Sequence, residues 1–197
     1  MRHGEILTKG KKIYVGQIDL PLNEQGLRQA TWWRSKLADT SFSRIYCSDL
    51  VRSQQTAQII AGKGDYLAIP SLKEISLGEW DGVEVEEIRR SFPEEFSKRG
   101  EQIATYRPPC GESFADLQKR VVPVWERLVQ SMEGNILIVA HAGVNRVILC
   151  HILGMNLADI FLLGQDYSSL NIIKCVKNGF RAYAINLTPS TMSFNCS

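Results

Sequence analysis

Residues 135–140 read NILIVA and run straight into His141, Ala142 and Gly143. An unbroken apolar run of this length, rich in β-branched residues, predicts a strand buried on both faces, as in a parallel sheet covered by helices. Residues 144–153 then follow a helical pattern, so the stretch reads as a βα unit. His141 falls at the carboxyl end of the strand and at a helix start. Open parallel sheets collect ligands there, and free backbone N–H groups favour an anion.

A second βα unit lies upstream. Residues 43–47 predict a strand, Ser48 is placed to cap a helix over 49–61, and Gly62 and Gly64 supply its stop. Arg52 falls one turn into that helix. Leu27, Ala30, Trp33 and Leu37 recur at helical spacing after Asn23, which predicts a capped amphipathic helix over 24–38. Residues 83–109 are charged and helical in pattern but interrupted at Pro93, the composition of a helical cover over a site. Gly111, Glu112 and Ser113 open a longer helix toward residue 132, bent at Pro123. Segments 170–176 and 180–187 flank Lys177, Asn178 and Gly179, where Asn-Gly predicts a two-residue hairpin turn. Strands alternating with helices and closed by a hairpin predict an α/β fold, in one domain over 1–197. Its expected form is a three-layer α/β/α arrangement with a mostly parallel sheet and one antiparallel edge hairpin.

The chain has 197 residues, 44% of them apolar and 22% charged, enough for one real core. A net charge of +2 without basic runs argues against nucleic acid as a partner. There is no membrane-length apolar stretch and no basic-then-apolar leader, so a cytoplasmic protein with no membrane partner is expected. Five cysteines without a C-x-x-C pair fit neither a disulfide framework nor a zinc site. The three histidines, with no H-x-x-x-H spacing, make a metal centre hard to build, and no cofactor is expected.

Among the remaining polar residues, Glu74 in LKEISLGEWDG lies near the same sheet edge, and Arg2-His3-Gly4-Glu5 stands at the start. His151 is expected to be structural on the apolar face of the 144–153 helix, and Glu79 and Asp81 to be loop carboxylates. Residues 175–181, CVKNGFR, match the C-x5-R spacing of a cysteine phosphatase loop. The Asn-Gly turn would instead put Cys175 and Arg181 across a strand pair. Trp32, Trp33 and Trp80 read as core or cover.

In combination, RHGE at 2–5, SDLVR at 48–52, LKE at 72–74 and the strand ending in His141 resemble, in order and spacing, the histidine phosphatase (phosphoglycerate mutase-like) superfamily. The resemblance implies a phosphoglycerate mutase-like fold and a small-molecule phosphomonoester as substrate. It also implies His3 as nucleophile, Arg2, Arg52 and His141 as phosphate ligands, and Glu74 as proton donor. Residues 14–30, 107–121 and 165–173 are similar to the α-ribazole phosphatases of cobalamin synthesis. Gly111, Glu112, Ser113 and the 83–109 cover are the candidates expected to meet the substrate beyond its phosphate. Mutases of the superfamily carry a larger insertion after the L-x-E glutamate, so the short segment here points to hydrolysis.

Two departures stand out. Relatives have an apolar strand before RHG, whereas here Met1 directly precedes Arg2, which leaves neighbouring strands short of a partner. Lys9 occupies a loop position where relatives often have asparagine, and is expected to serve as a point charge near phosphate. The missing strand keeps open a non-catalytic phosphate-binding module, although binding alone would not require His3 and Glu74.

Overall fold

The computed structural model describes residues 1–8, 10–131, 133–177 and 179–193. The chain runs α1 (Glu24–Lys36), β1 (Phe42–Cys47), α2 (Val51–Ala61), β2 (Leu67–Ala68), α3 (Val85–Ser91), α4 (Pro93–Glu101), α5 (Phe114–Gln130), β3 (Asn135–Val139), α6 (Ala142–Leu153), β4 (Leu170–Val176), β5 (Gly179–Leu187) and α7 (Pro189–Ser193). The parallel sheet has the order β2-β1-β3, and β4 and β5 form a separate antiparallel pair.

Layering follows from alternation along β3. Leu137 and Val139 pack with Trp33, Ala57 and Ile60 of α1 and α2. Ile138 and Ala140 turn to the opposite face, toward Leu117, Val121, Val144 and Val147 of α5 and α6. Burying both faces is what an all-apolar strand requires.

Residues 1–3 tie the hairpin to the sheet. Ala140 N–H donates to the Met1 carbonyl at 2.8 Å and His3 N–H to the Ala140 carbonyl at 3.0 Å. On the other side, Arg2 N–H donates to the Ser169 carbonyl at 2.9 Å and Ser168 N–H to the His3 carbonyl at 2.9 Å. Below this short link a cavity of about 710 Å³ lies between β3 and β4, lined by Met1, Leu137, Ile138, Leu170, Ile172 and Ile173 among others. It does not touch His3 or His141.

Several local expectations shift. The α2 helix starts at Val51, and its N-terminal Val51 N–H is capped at 2.7 Å by Asp19 from a distant loop rather than by Ser48. Val176 pairs with Gly179, which moves the hairpin turn one residue ahead of Asn178-Gly179; Asn178 itself lies outside the described residues. Cys175 pairs with Phe180 and Arg181 with Lys174, so C-x5-R does span a strand pair. His151 is exposed and pairs with Glu126 at 2.9 Å instead of lying on the apolar face. The α6 helix is buried through Gly143–Asn145 and Val147–Cys150, and His151 falls just beyond that stripe. Among the described residues no helix is long and apolar enough to cross a membrane.

Candidate active site

The β3–α6 and β1–α2 junctions face the turn at His3. The rings of His3 and His141 stand edge to face with centroids 5.1 Å apart, both buried. Gly4 makes this possible for His3, because a Cβ there would lie 2.6 Å from the Gly26 carbonyl oxygen of α1. The imidazole Nδ1 donates to the Gly4 carbonyl at 2.7 Å, which leaves Nε2 with its lone pair.

Arg52, only 1% exposed, reaches the same cluster from the first turn of α2. Its Nη1 donates to the Ile18 carbonyl at 2.6 Å and its Nη2 to the Gly16 carbonyl at 2.8 Å. The Arg2 Nη1 donates to the Gln165 carbonyl at 2.6 Å, and its guanidinium carbon lies 3.8 Å from the centroid of the Tyr167 ring. The His141 Nε2 and the Ser48 hydroxyl are 2.6 Å apart, and Ser48 Oγ accepts from Leu50 N–H at 3.3 Å. Three buried donor atoms in this cluster have no partner: Arg2 Nε, Arg52 Nε and His141 Nδ1. Native proteins rarely tolerate such groups, each costing about 1–3 kcal/mol, unless something else engages them.

Glu74 approaches from the segment before the Gly78–Trp80 turn. One carboxyl oxygen accepts Ile75 N–H at 2.9 Å and the other accepts Gly143 N–H at 3.1 Å, at the start of α6. The start of α6 is therefore engaged by Glu74, and Gly143 is glycine because a Cβ would sit 2.5 Å from Glu74 Oε1. Arg120 braces this segment by donating to the carbonyls of Ser71, Lys73 and Glu74. Glu112 pairs with Arg120 at 2.8 Å through both oxygens and accepts Ser76 N–H at 2.9 Å. Ser113 caps α5 in a reciprocal box with Asp116, and Gly111 packs against the backbone of Ser76 and Leu77. Glu112 and Gly111 thus buttress the segment that carries Glu74, while Ser113 fixes the start of α5. Lys9 lies outside the described residues.

Asp81 also differs from a free loop carboxylate. It accepts Leu77 N–H at 3.1 Å and Gln17 N–H at 3.3 Å, fixing the loop whose carbonyls hold Arg52. Ser48, Asp81 and Tyr167 were the residues that sequence patterns missed. Ser48 stood in view inside SDLVR and Tyr167 inside the 165–173 stretch, but nothing local gave either its role.

Burial, and then the positive charges of Arg2 and Arg52, hold the His3 pKa well below its usual 6.5. Burial likewise lowers His141, followed by His3, Arg52 and Arg2. Both causes disfavour the protonated ring, so the folded protein keeps these imidazoles neutral where the unfolded chain binds protons. Stability should therefore fall as pH drops below about 6.5, the unfolded value. Calorimetry at pH 7.5 and 5.5 checks this: Tm should drop, and drop less in a His3→Gln/His141→Gln double variant. An equal drop in both proteins would detach the effect from these rings.

Such a pocket belongs to a class of α/β proteins that gather imidazole, guanidinium and carboxyl groups at the carboxyl ends of parallel strands to handle an oxyanion. The family model for the histidine phosphatase superfamily (branch 1) matches residues 1–188, and the chain belongs to that superfamily as a hydrolase of the phosphomonoesterase and mutase group. It is 28% identical over 191 residues to phosphoserine phosphatase 1 of Hydrogenobacter thermophilus, covering 95% of this chain and 90% of the relative. It is 32% identical over 170 residues to a 2,3-bisphosphoglycerate-dependent phosphoglycerate mutase of Bartonella tribocorum, covering 81% and 82%. The crystal structure of a putative alpha-ribazole-5'-P phosphatase from Escherichia coli superposes with a TM-score of 0.87 at 26% identity, covering 95% of this chain and 94% of that one.

Proposed function

We propose that the protein hydrolyses phosphomonoesters through a phosphohistidine on His3, and that α-ribazole 5′-phosphate is its substrate. The observation that carries the reaction is the group of unpartnered buried donors, Arg2 Nε, Arg52 Nε and His141 Nδ1, around an imidazole whose Nε2 is free. A phosphoryl group offers anionic oxygens to those donors and a phosphorus atom to that nitrogen.

In the first transfer His3 Nε2 forms the N–P bond as the ester P–O bond breaks. The leaving oxygen takes a proton from the Glu74 carboxyl. In the second, water forms the new O–P bond, its proton returns to Glu74, the N–P bond breaks and inorganic phosphate departs. The guanidinium groups and His141 Nδ1–H stabilise charge on the equatorial oxygens, while the Ser48 hydroxyl donates to His141 Nε2 and so fixes the tautomer. The α3–α4 segment would cover the leaving group. It reaches the site through the loop it braces: Val85 N–H donates to the Lys12 carbonyl, and Arg99 lies 5.2 Å over Tyr14.

Substrate choice is tested by kcat/KM for α-ribazole 5′-phosphate beside phosphoserine and 3-phosphoglycerate, with mutase product assayed in parallel. A preference of about a hundredfold or more for the ribazole ester supports the assignment, being the scale that extra substrate contacts supply. Equal or better rates on the acidic esters would reject it.

The acid role of Glu74 is tested at Gly143. Alanine is a better helix former than glycine by about 1 kcal/mol, which offsets the bond that Gly143 N–H would lose, so Gly143→Ala should change Tm little. Its methyl group would displace the carboxyl that now accepts Gly143 N–H. Alkyl phosphates, which need leaving-group protonation, should slow by about 10- to 100-fold. p-Nitrophenyl phosphate should slow much less. A uniform loss on both substrates would contradict the acid role.

A further inference from the structure

Tyr167 lies in the 165–173 stretch but in none of the four motifs that supply the site, yet it touches two residues of the site. Its ring lies under the Arg2 guanidinium, with Cζ 3.8 Å from the centroid, and 5.7 Å from the His3 ring at a 52° tilt. The backbone around it is held hard. Ser168 N–H donates to the His3 carbonyl, the Trp33 indole N–H donates to the Ser168 carbonyl at 2.6 Å, and Arg2 N–H donates to the Ser169 carbonyl. Ser168 itself has φ +59°, a left-handed conformation that costs a non-glycine residue energy and is kept where surroundings over-determine it. A turn pinned from three sides, with its bend directly after Tyr167, sends that side chain against Arg2.

The grip on Arg2 is otherwise slight. Tyr167 gives it a side-chain hydrogen bond as well as the stacking contact; beyond Tyr167 its side chain has one hydrogen bond, from Nη1 to the Gln165 carbonyl, and among the described residues no carboxylate lies within ion-pair distance. Without Tyr167, that single bond would leave the guanidinium free to swing about its side-chain torsions. A second restraint across its face would fix the plane, and a forked donor is useful to phosphate only when its plane is fixed.

We propose that Tyr167 is a positioning residue for phosphoryl transfer, whose ring holds the Arg2 guanidinium in the plane that meets the phosphoryl oxygens. This rests on the phosphoryl-site reading above. The ring carries more of the effect than the hydroxyl, which adds one hydrogen bond to Arg2, because stacking on a guanidinium needs the aromatic face.

The test measures orthovanadate affinity by calorimetry and kcat/KM for p-nitrophenyl phosphate, with Tm recorded for each protein. Tyr167→Leu should weaken both readouts by roughly tenfold, the scale of a desolvated cation–π contact. Tyr167→Phe should recover most of that loss. In an Arg2→Ala background, Tyr167→Leu should add less than about a twofold loss, since coupled residues are not additive. Tyr167→Met serves as the second non-aromatic variant if the leucine protein is unstable. Full function in Tyr167→Leu, a Tyr167→Phe loss as large as that of Leu, or an undiminished loss in the Arg2→Ala background would each overturn the inference while leaving the phosphoryl site standing. A wild-type protein that neither binds vanadate nor hydrolyses the ester would remove the site reading, and this inference with it.

Discussion

His3→Ala is expected to lower kcat on any phosphomonoester by about a thousandfold or more, the scale seen when a covalent nucleophile is removed. The loss should be in turnover rather than in anion capture. Arg2, Arg52 and His141 remain, so orthovanadate should still bind, though more weakly. Wild-type protein quenched in alkali after mixing with 32P-labelled substrate should carry label, and His3→Ala should carry none. Because His3 is buried and bonded to the Gly4 carbonyl, alanine also opens a cavity. His3→Gln, closer in volume, controls for that and should be equally inactive. Wild-type rates in either variant, with EDTA present, would remove His3 from the mechanism. Inactivity of the wild type as well, with vanadate still bound, would favour the non-catalytic phosphate-binding module.

Much of the site was readable in the sequence because its residues sit where strands become helices. The NILIVA run fixes β3 by its apolar continuity, and His141 is simply the next polar residue after Ala140. Arg52 is similarly tied to the first turn of a helix that Gly62 ends. The sequence failed where contacts come from afar. Asp19 caps α2 from a loop thirty-two positions upstream, so Ser48, locally a plausible cap, is free to meet His141. Glu112 pairs with Arg120 one helix turn or two further on and thereby with the backbone beside Glu74, a long-range arrangement that no local pattern encodes. Tyr167 stacks on a residue 165 positions away. Periodicity and capping rules describe a chain's neighbours in sequence; these roles depend on neighbours in space.

Arg52→Lys should be nearly as damaging as loss of the nucleophile, and for two separable reasons. The guanidinium holds the Gly16 and Ile18 carbonyls with its two terminal nitrogens and keeps Nε for the pocket. A lysine ammonium is a single point on a flexible stem and cannot span both carbonyls while also facing an anion. Leaving one buried carbonyl unpaired, with a buried cation poorly solvated, should cost about 2–4 kcal/mol. In a chain of this size that lowers Tm by roughly 5–15 °C. The same loss loosens the loop at 16–18, which Asp81 through Gln17 N–H and the Gln17 side chain on the Glu74 carbonyl are then left to hold. Activity should fall by about 100- to 1000-fold, the range for removing one charge-stabilising donor at a transition state. Adding orthovanadate separates the two effects. In wild type a dianion relieves the crowding of Arg2 and Arg52, which face Glu74 as a nearby carboxylate, so Tm should rise by mass action. In Arg52→Lys that rise should be small. If the lysine protein keeps both its Tm and its full vanadate response, Arg52 is neither the loop's anchor nor a phosphate ligand.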